Sequence, residues 1–446
     1  MKLDEVVDKS GCAGSLAEHL AAACSANKVP GAAVALIGED AVHAVAFGAS
    51  PAGAPFVPTT RLGMGCVVKP FVATLLGAFA QNGDLALTDE VVRHLELDRA
   101  VDVLAGITLR HLLSHTDGLG PRPFDRAPTT PEGWVDVAAL TALVCSDESS
   151  FPPGQYFTDT HCGFSLLGAV IEKYSGQPFG RTLRRELLDH LAETGSAGPY
   201  TEESVCPATG AGLSLSVTEC AEFLRFQLNP AAFGAPLFRR IKSFAPFYER
   251  QAPYPGWSAG MNGVSLGWKT YAGDWIGHNG IGDAQTVVLR LHPEHKAGVA
   301  FLCASNLPVA YACLGRLCGN FLPEFDVKNA PRLLSEEERR NVPTPRRLGT
   351  FGNRTRHIAI SGDSADRLQI TISQLTNGDR KIVASGTLLP ATHDLFFIPP
   401  PNGGTWFVQY LSSPGATDDD LLWDGWHLWR RRDDRLETRK ATPSAA

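Results

Sequence analysis

The sequence has 446 residues, 44% of them hydrophobic and 20% charged, and its formal net charge is −7. This length exceeds what one hydrophobic core ordinarily organises, so we expect at least two domains. The acidic balance gives no signature of a polyanion-binding protein, so nucleic acid is not expected as a partner. No run of about 18 apolar residues is present, so no membrane-spanning helix is expected.

The cysteines and the start of the chain indicate a compartment. Ten cysteines are scattered without paired spacing, which favours reduced thiols over a disulfide framework. Residues 1–30 show no basic start followed by an apolar core, so no signal peptide is expected, and we predict a cytoplasmic protein. His161 and Cys162 place two metal-ligand types side by side, but no ligand spacing surrounds them, so neither a metal nor another cofactor is expected.

In chain order, helix and strand patterns alternate through the first part of the sequence. Residues 13–27 are rich in Ala and Leu and predict an opening helix, which two strands at 32–37 and 41–47 follow. Further helices are predicted at 71–80, 108–114, 134–145, 166–174, 181–193 and 215–228, the last with Ser216 or Thr218 as N-cap. Strand patterns return at 264–270, 284–291 and 297–304. The pattern predicts an α+β domain, an antiparallel sheet flanked by helices.

The composition changes after residue 325. Residues 325–347 are polar, charged and contain proline, which is typical of a linker. Short strands at near-regular spacing then predict a small all-β barrel or sandwich; they lie at 357–360, 368–373, 381–384, 395–398, 406–410 and 427–429. We therefore divide the chain into a first domain (1–325), a linker (326–347), a β-barrel domain (348–432) and a disordered tail (433–446).

Cys66 and Lys69 form the first chemical pattern. They lie three residues apart where the apolar helix begins, so their side chains share one face. A thiol near an ammonium group and a helix N-terminus is expected to be more acidic and more nucleophilic than a free one. A four-residue pattern is weak by itself, because a buried inert cysteine with a solvated lysine gives the same spacing.

Longer motifs strengthen this interpretation because they follow one another in a known order. They are VPGA at 29–32, GCVVKPF at 65–71, LLSHTDGL at 112–119, the segment 153–168, GW at 267–268 and GHNG at 277–280. Over roughly residues 20–320 they resemble the serine β-lactamase and penicillin-binding-protein superfamily, in its class C and esterase-like branch. The resemblance implies a β-lactamase/transpeptidase-like fold, and the C-terminal β module resembles the lipocalin-like domain appended to some members.

The sequence departs from that family at the residues that perform its chemistry. Cys66 stands where the S-x-x-K motif has its nucleophilic Ser, Asp159 stands at the Tyr of the Y-x-N motif, and His161 stands at its Asn. A thiol ionises far more readily than a hydroxyl, so loss of the Tyr is chemically consistent with gain of the Cys. An engineered Ser→Cys exchange would have left the Tyr and Asn in place. The resemblance implies catalytic roles for Cys66, Lys69, Asp159, His161 and His278 and substrate contacts from Gly65, Asn279 and Gly280.

Several roles within this site stay open at the level of sequence. His161 could accept the thiol proton or donate one to the leaving group, and Asp159 could orient His161 or pair with Lys69, so the base is Lys69, His161 or Asp159. By family analogy, the backbone N–H of Cys66 and one from the strand after His278 form an oxyanion hole. His115 and Asp117 are expected to brace a turn rather than to act chemically.

These residues predict an ATP-independent cysteine acyltransferase. It would move an acyl group from a small-molecule ester, thioester or amide donor to an amine acceptor through a Cys66 thioester, and natural-product biosynthesis, including that of antibiotics, is a plausible setting. The alternatives are a hydrolase (an esterase, an amidase or a β-lactamase-like enzyme) and a catalytically inactive binding module. The oligomeric state is left open.

Overall fold

The computed structural model describes residues 15–38, 41–95, 97, 101–120, 128–146, 149–192, 205–258, 260–282, 284–318, 322, 334–342, 348–353, 356–362, 368–376, 379–392, 394–398, 406–413, 421–424 and 427–432. The predicted disordered tail lies outside these residues. Within them, no helix is long and apolar enough to cross a membrane.

The helices agree with most of the predicted limits. The opening helix has Ser15 as its N-cap in a capping box with Glu18, and Ser216, one of the two predicted N-caps, begins a helix in the same way with Glu219. The predicted helix at 181–193 contains a π-helical turn, Arg184–Leu188. In chain order the α-helices are α1 (Leu16–Ala26), α2 (Val68–Asn82), α3 (Val91–His94), α4 (Leu109–Leu113), α5 (Val137–Cys145), α6 (His161–Ser175), α7 (Phe179–Leu183), α8 (Asp189–Ala192), α9 (Val217–Leu228), α10 (Ala245–Tyr248), α11 (Leu307–Cys318) and α12 (Glu336–Arg340).

An eight-stranded antiparallel sheet organises the first three quarters of the chain, as the predicted α+β class requires. Its order is β2-β1-β10-β9-β8-β7-β6-β5, and each neighbouring pair is antiparallel. A separate two-stranded sheet joins β3 to β4. The strands are β1 (Gly31–Ile37), β2 (Val42–Gly48), β3 (Arg61–Gly63), β4 (Ser214–Ser216), β5 (Ala252–Pro253), β6 (Met261–Val264), β7 (Lys269–Tyr271), β8 (Ile276–Gly282), β9 (Gln285–His292) and β10 (Ala297–Cys303).

The two faces of this sheet contribute to different hydrophobic cores. On β10, Val299 and Phe301 pack with residues of α1 and α11. The alternate residues Ala300 and Leu302 pack with residues of α2, α6 and α9. Because successive side chains of a strand point to opposite faces, both faces of β10 are buried. One face therefore supports the helical layer that carries Cys66, and the other is covered by the first and last helices of this domain.

Helix α2 lies inside that helical layer. Every residue from 68 to 79 is buried, which explains why the sequence there is mostly apolar on all sides of the helix rather than amphipathic. The helix ends at Gly83, whose left-handed φ of 87° lets its N–H reach carbonyls of the last turn. Phe71 stacks on Phe223 of α9 with ring centroids 3.7 Å apart. The position of α2 is thus fixed by packing along its whole length.

The predicted strand at 264–270 is wrong, because a turn divides it. Gly267 has a φ of 78°, and its N–H donates to the carbonyl of Leu113. A Cβ on Gly267 would lie 2.4 Å from Cβ of Ala73, so a side chain has no room there. The segment is therefore a hairpin between β6 and β7, and the turn presses against α2.

The C-terminal β module consists of two antiparallel sheets. One has the order β11-β12-β13-β14 and the other β15-β16-β17-β18-β19, and Phe351, Ile370, Phe396 and Trp429 contribute to a shared core between them. The strands are β11 (Gly349–Gly352), β12 (Arg356–Ser361), β13 (Gln369–Thr376), β14 (Asp379–Thr387), β15 (Leu389–Pro390), β16 (Leu395–Ile398), β17 (Trp406–Leu411), β18 (Leu421–Trp423) and β19 (Leu428–Arg430).

A closed barrel, one of the two predicted forms of the module, is not found among the described residues, and the two packed sheets correspond to the other form, a sandwich. One isolated bridge, Phe351 to Arg431, links the first strand of the module to its end, and β14 and β15 are consecutive along the chain without forming a ladder with each other. The segment predicted as a linker also contains helix α12, which Ser335 caps together with Glu338. The domain boundaries themselves stay a prediction.

Candidate active site

Cys66 lies in a 3₁₀ turn, Gly65–Val67, that leads directly into α2. Its side chain is half-buried. Gly65 has a φ of 54°, a region that disfavours residues with a Cβ. This turn places the Cys66 amide at the positive end of α2, where backbone N–H groups lack partners within the helix.

Strand β8 approaches this turn so closely that glycine is required on both sides. A Cβ on Gly280 would lie 1.9 Å from the carbonyl oxygen of Met64, and a Cβ on Gly65 would lie 2.8 Å from the amide nitrogen of Ile281. On the other side, a Cβ on Gly210 would lie 2.2 Å from the Gly65 carbonyl oxygen. The strand after His278 therefore presents a backbone amide next to the turn that holds Cys66.

His161 is the first residue of α6, and its ring reaches the thiol. The Cys66 Sγ atom and the His161 Nε2 atom are 4.0 Å apart. The Thr160 N-cap makes no side-chain capping hydrogen bond at this helix start. The arrangement pairs a thiol with an imidazole at sulfur hydrogen-bonding distance, and such a pair can pass a proton between its members.

Asp159 lies between two lysines. Its Oδ1 atom is 2.5 Å from Nζ of Lys69, and its Oδ2 atom is 3.4 Å from Nζ of Lys269 on β7. Both ammonium groups and the carboxylate are buried. Buried charges persist only when they are paired, so these three side chains form a fixed ionic group.

The charges around Asp159 determine its ionisation. Burial alone would raise the pKa of the Asp159 carboxyl, but the ammonium groups of Lys69 and Lys269 hold it well below its usual value. Burial lowers the pKa of His115 well below its usual value. Burial, with Lys269 and Lys69, does the same for His278. At neutral pH the cluster therefore holds an ionised carboxylate, and these two histidines are neutral.

His115 and Asp117 hold the segment that carries Asp159. The Thr160 backbone N–H donates to Nδ1 of His115 at 3.1 Å, and the Thr160 hydroxyl donates to Oδ2 of Asp117 at 3.0 Å. The Thr158 N–H donates to the His115 carbonyl at 3.0 Å. Because Nδ1 of the neutral His115 accepts, Nε2 carries the proton and faces Oδ1 of Asp159 at 3.5 Å. These contacts are the bracing that the sequence predicts for both residues.

His278 and Asn279 lie on opposite faces of β8. His278 pairs in register with Leu289, which belongs to the core on the α2 side, whereas Asn279 pairs with Val288 in the other core. The Asn279 side chain donates to the Tyr311 hydroxyl and accepts from Arg290 at 3.0 Å. The structure thus directs the Asn279 side chain away from the face of β8 that carries His278, so the substrate contact predicted for Asn279 does not come from that side chain.

Two residues of the site are absent from the sequence-based prediction. Lys269 completes the ionic group at Asp159, and Gly210 closes against the carbonyl of Gly65. A lysine inside an otherwise apolar strand pattern was the available signal for Lys269. Gly210 carries no comparable signal, because the need for glycine there arises only from its contact with the turn at Gly65, which is distant in sequence. In the part of the chain that the structure describes, no group of three or more His, Cys, Asp or Glu side chains could hold a metal ion.

A sheet packed against a helical layer, with a nucleophile turn at the start of a buried helix, is the architecture of β-lactamases and penicillin-binding proteins. A family profile described as Beta-lactamase matches residues 16–316. That match spans more than half of the sequence, so the chain belongs to the Beta-lactamase family. Enzymes of this family transfer or hydrolyse acyl groups, and the fold supports that general activity here.

Individual relatives are distant. Penicillin-binding protein 4 of Amycolatopsis lactamdurans is 26% identical over 350 residues, which cover 66% of this chain and 88% of the relative. A Beta-lactamase of Pseudomonas fluorescens is 25% identical over 239 residues, which cover 49% of this chain and 62% of the relative.

Solved structures resemble the chain over nearly its whole length. The crystal structure of SurE with D-Leu has a TM-score of 0.68 at 24% identity, and the match covers 94% of this chain and 98% of the SurE chain. The octameric penicillin-binding protein homologue from Pyrococcus abyssi has a TM-score of 0.57 at 20% identity and covers 93% of this chain and 98% of its own. At these identities the likeness concerns the fold alone.

Proposed function

We propose that this protein is an ATP-independent acyltransferase that forms a thioester on Cys66 and passes the acyl group to an amine. The observation that carries the proposal is the distance of 4.0 Å between Cys66 Sγ and His161 Nε2. Family members with a Ser nucleophile need a strong base. A thiol beside an imidazole does not, because it ionises at a much lower pH than a hydroxyl.

The surroundings favour His161 as the base over the other two candidates. Lys69 is held at 2.5 Å by the ionised Asp159, so its Nζ atom is already engaged by that carboxylate. Asp159 has a pKa well below its usual value, which makes it too weak a base for a thiol. His161 has the suitable intrinsic basicity and the required contact.

The first half-reaction then follows from the geometry. His161 removes the Cys66 proton, and the thiolate attacks the carbonyl carbon of the donor, whose oxygen becomes an oxyanion. The backbone N–H groups of Cys66 and Ile281 stabilise this oxyanion. When the intermediate collapses, the bond to the leaving group breaks, the leaving group takes the proton from His161, and the acyl group stays on sulfur as a thioester.

The second half-reaction uses the same groups in reverse. An amine attacks the thioester carbonyl, His161 takes the amine proton, and the same two N–H groups stabilise the second oxyanion. Collapse breaks the carbon–sulfur bond, forms the amide, and returns the proton to Cys66. Thioesters react with amines far more readily, relative to water, than oxygen esters do, so a Cys nucleophile favours transfer over hydrolysis.

The acceptor class can be narrowed by one comparison. SurE shares this fold and has been crystallised with D-Leu. We therefore extend the proposal to a small amino acid or a related amine as acceptor, and D-Leu belongs in the test panel. A biosynthetic pathway that converts an activated ester or thioester into an amide would need such an enzyme, and natural-product assembly is one setting with that chemistry.

The test is intact-mass analysis and peptide mapping after incubation with activated acyl esters and thioesters, with and without amines. We expect an acyl adduct on Cys66 that amines discharge faster than water does, and no adduct in Cys66→Ala. Cys145 is exposed and distant in sequence, so Cys145→Ala is the matched control and should react like the wild type.

Other outcomes would redirect the assignment. An adduct that water clears as fast as amines do would identify a hydrolase, the activity named for the Pseudomonas fluorescens relative. The absence of an adduct across a broad panel, with Cys66 no more reactive toward alkylating agents than Cys145, would indicate a binding module. Acyl transfer that persists in Cys66→Ala would overturn the proposal.

A further inference from the structure

The C-terminal β module packs against the segment that carries Asp159. The part of the chain that matches the Beta-lactamase profile, residues 16–316, is called the family domain below. One hydrophobic cluster combines Phe157 and Tyr254 of the family domain with Trp423 and Leu428 of the module. Phe157 and Trp423 are each 0% exposed. The module therefore packs directly on the family domain, and the two share a hydrophobic core beside the candidate active site.

Three aromatic rings form the centre of this cluster. Trp423 lies edge-on to both Phe157 and Tyr254, at centroid distances of 5.9 and 5.6 Å, and the Phe157 and Tyr254 rings are 4.7 Å apart. Each ring thus contacts the other two in a favourable geometry. The indole N–H of Trp423 donates to the carbonyl of Trp257 at 2.9 Å, which fixes the orientation of the Trp423 ring.

Phe157 connects this aromatic group to the ionic group around Asp159. The Lys269 Nζ atom lies 6.0 Å from the Phe157 ring centroid, and the His115 ring meets Phe157 edge-on at 5.7 Å. Lys269 and His115 are themselves contacts of Asp159. Displacement of Phe157 would therefore disturb two of the groups that hold the carboxylate in place.

The module also contacts this segment through the backbone. The Leu428 N–H donates to the Thr158 hydroxyl at 3.4 Å, one residue before Asp159. The same segment is also held by His115 and Asp117. The short stretch from Phe157 to Thr160 is thus fixed between a turn of the family domain and two strands of the β module.

We propose that Trp423 is a positioning residue of the active site, which acts through Phe157 to hold Asp159, and with it the adjacent His161, in place for the chemistry at Cys66. The inference rests on the proposed function, because it assigns the β module a part in the reactivity of the same thiol. Trp423 touches neither Cys66 nor the carboxylate. Its effect is expected in the rate and pH dependence of the thiol reaction rather than in the identity of the nucleophile.

The experiment measures alkylation of Cys66 by iodoacetamide across pH 5–9, by mass spectrometry, in the full-length protein. We expect Trp423→Ala to lower the Cys66 rate constant about tenfold near neutral pH and to displace its pH profile, since small displacements of reacting groups have large effects on rate. Trp423→Phe keeps an aromatic ring against Phe157 and should restore most of the rate. Trp423→Leu serves as a second variant in case the alanine variant does not fold.

Trp429 supplies the matched control, because it is a buried tryptophan of the same module that belongs to the other core. Trp429→Leu, the same change as Trp423→Leu, should lower the melting temperature without changing the Cys66 profile. The proposal is overturned if folded Trp423→Ala or Trp423→Leu shows the wild-type rate and pH profile, or if Trp429→Leu changes both as much as Trp423→Leu does. Alkylation requires no acyl donor, so an enzyme that transfers no acyl group but shows these differences would contradict the proposed function and leave the positioning role supported.

Discussion

Asp159→Asn removes the one carboxylate that Lys69 and Lys269 share and preserves its shape. At an effective dielectric constant of about 20, charges at 2.5 and 3.4 Å attract the carboxylate by roughly 7 and 5 kcal/mol before desolvation is counted. In the variant both ammonium groups stay buried and lose this compensation. Removing one partner of a buried ion pair typically costs about 3–5 kcal/mol, so we expect the free energy of unfolding to fall by about that amount.

Thermal unfolding at pH 7 measures this effect. For a large domain the expected loss corresponds to a melting temperature lowered by roughly 6–20 °C. The pKa of Asp159 is depressed in the folded protein, so the wild-type advantage is fully present above about pH 4, the unfolded value, and declines as the pH falls through the folded value. Asp159→Asn should therefore differ most from the wild type near neutral pH.

Asp136→Asn is the matched control for the same chemical change. Asp136 is the N-cap of α5, and its carboxylate accepts from the Ala139 N–H, a role that Asn fills equally well. Its melting temperature should stay within about 2 °C of the wild type. If Asp159→Asn also stays within about 2 °C, the ionic group contributes no net stability and the reasoning about buried charge is refuted.

Three further predictions address the nucleophile, the strand approach and a buried carboxylate. Cys66→Ser should lose at least about 100-fold in acyl-adduct formation, because the hydroxyl lacks the family's Tyr; an active variant would show that the thiol is dispensable. Gly280→Ala places a Cβ 1.9 Å from the Met64 carbonyl oxygen and should abolish adduct formation, whereas Gly234→Ala meets nothing within 4 Å and should be neutral; equal activity of the two would contradict the close approach of β8. Burial raises the pKa of Glu172 to about 7 from 4.5, so the folded state binds more protons and the wild type should lose about 2 kcal/mol of stability from pH 5 to 8. Urea unfolding at several pH values should show a smaller loss of stability for Glu172→Gln. If the unfolding free energy of the variant falls with pH as steeply as that of the wild type, Glu172 is not the cause.

The sequence was sufficient wherever a local pattern decides the outcome. The apolar run after Cys66 predicts a buried helix, and the structure has α2 at that position. Ser216 with Glu219 forms a capping box within four residues, so it is readable without tertiary information. The order of motifs also led to the family, because the chain keeps its spacing even where Ser, Tyr and Asn have been replaced.

Sequence patterns failed where a turn or a strand end depends on packing. Gly267 lies in a turn with a φ of 78°, at a point where Ala73 leaves no room for a side chain, and no local signal separates that turn from a glycine within a strand. The β module has the predicted strand spacing, but barrel closure depends on pairing between its first and last strands. Those strands are far apart in sequence, and among the described residues only the Phe351–Arg431 bridge joins that edge.

By itself, the sequence placed Cys66, Lys69 and His161 at the positions of one family's motifs, since those motifs are short and continuous; their catalytic roles stay a prediction. Only the tertiary structure decided that Lys269, 110 residues from Asp159, would share its carboxylate. It also decided that the Asn279 side chain would face away from Cys66, and that Trp423 would pack on Phe157. The physical reason is that side-chain direction in a sheet depends on register with neighbouring strands, and contacts between distant segments depend on how whole layers pack. Neither is encoded in local periodicity.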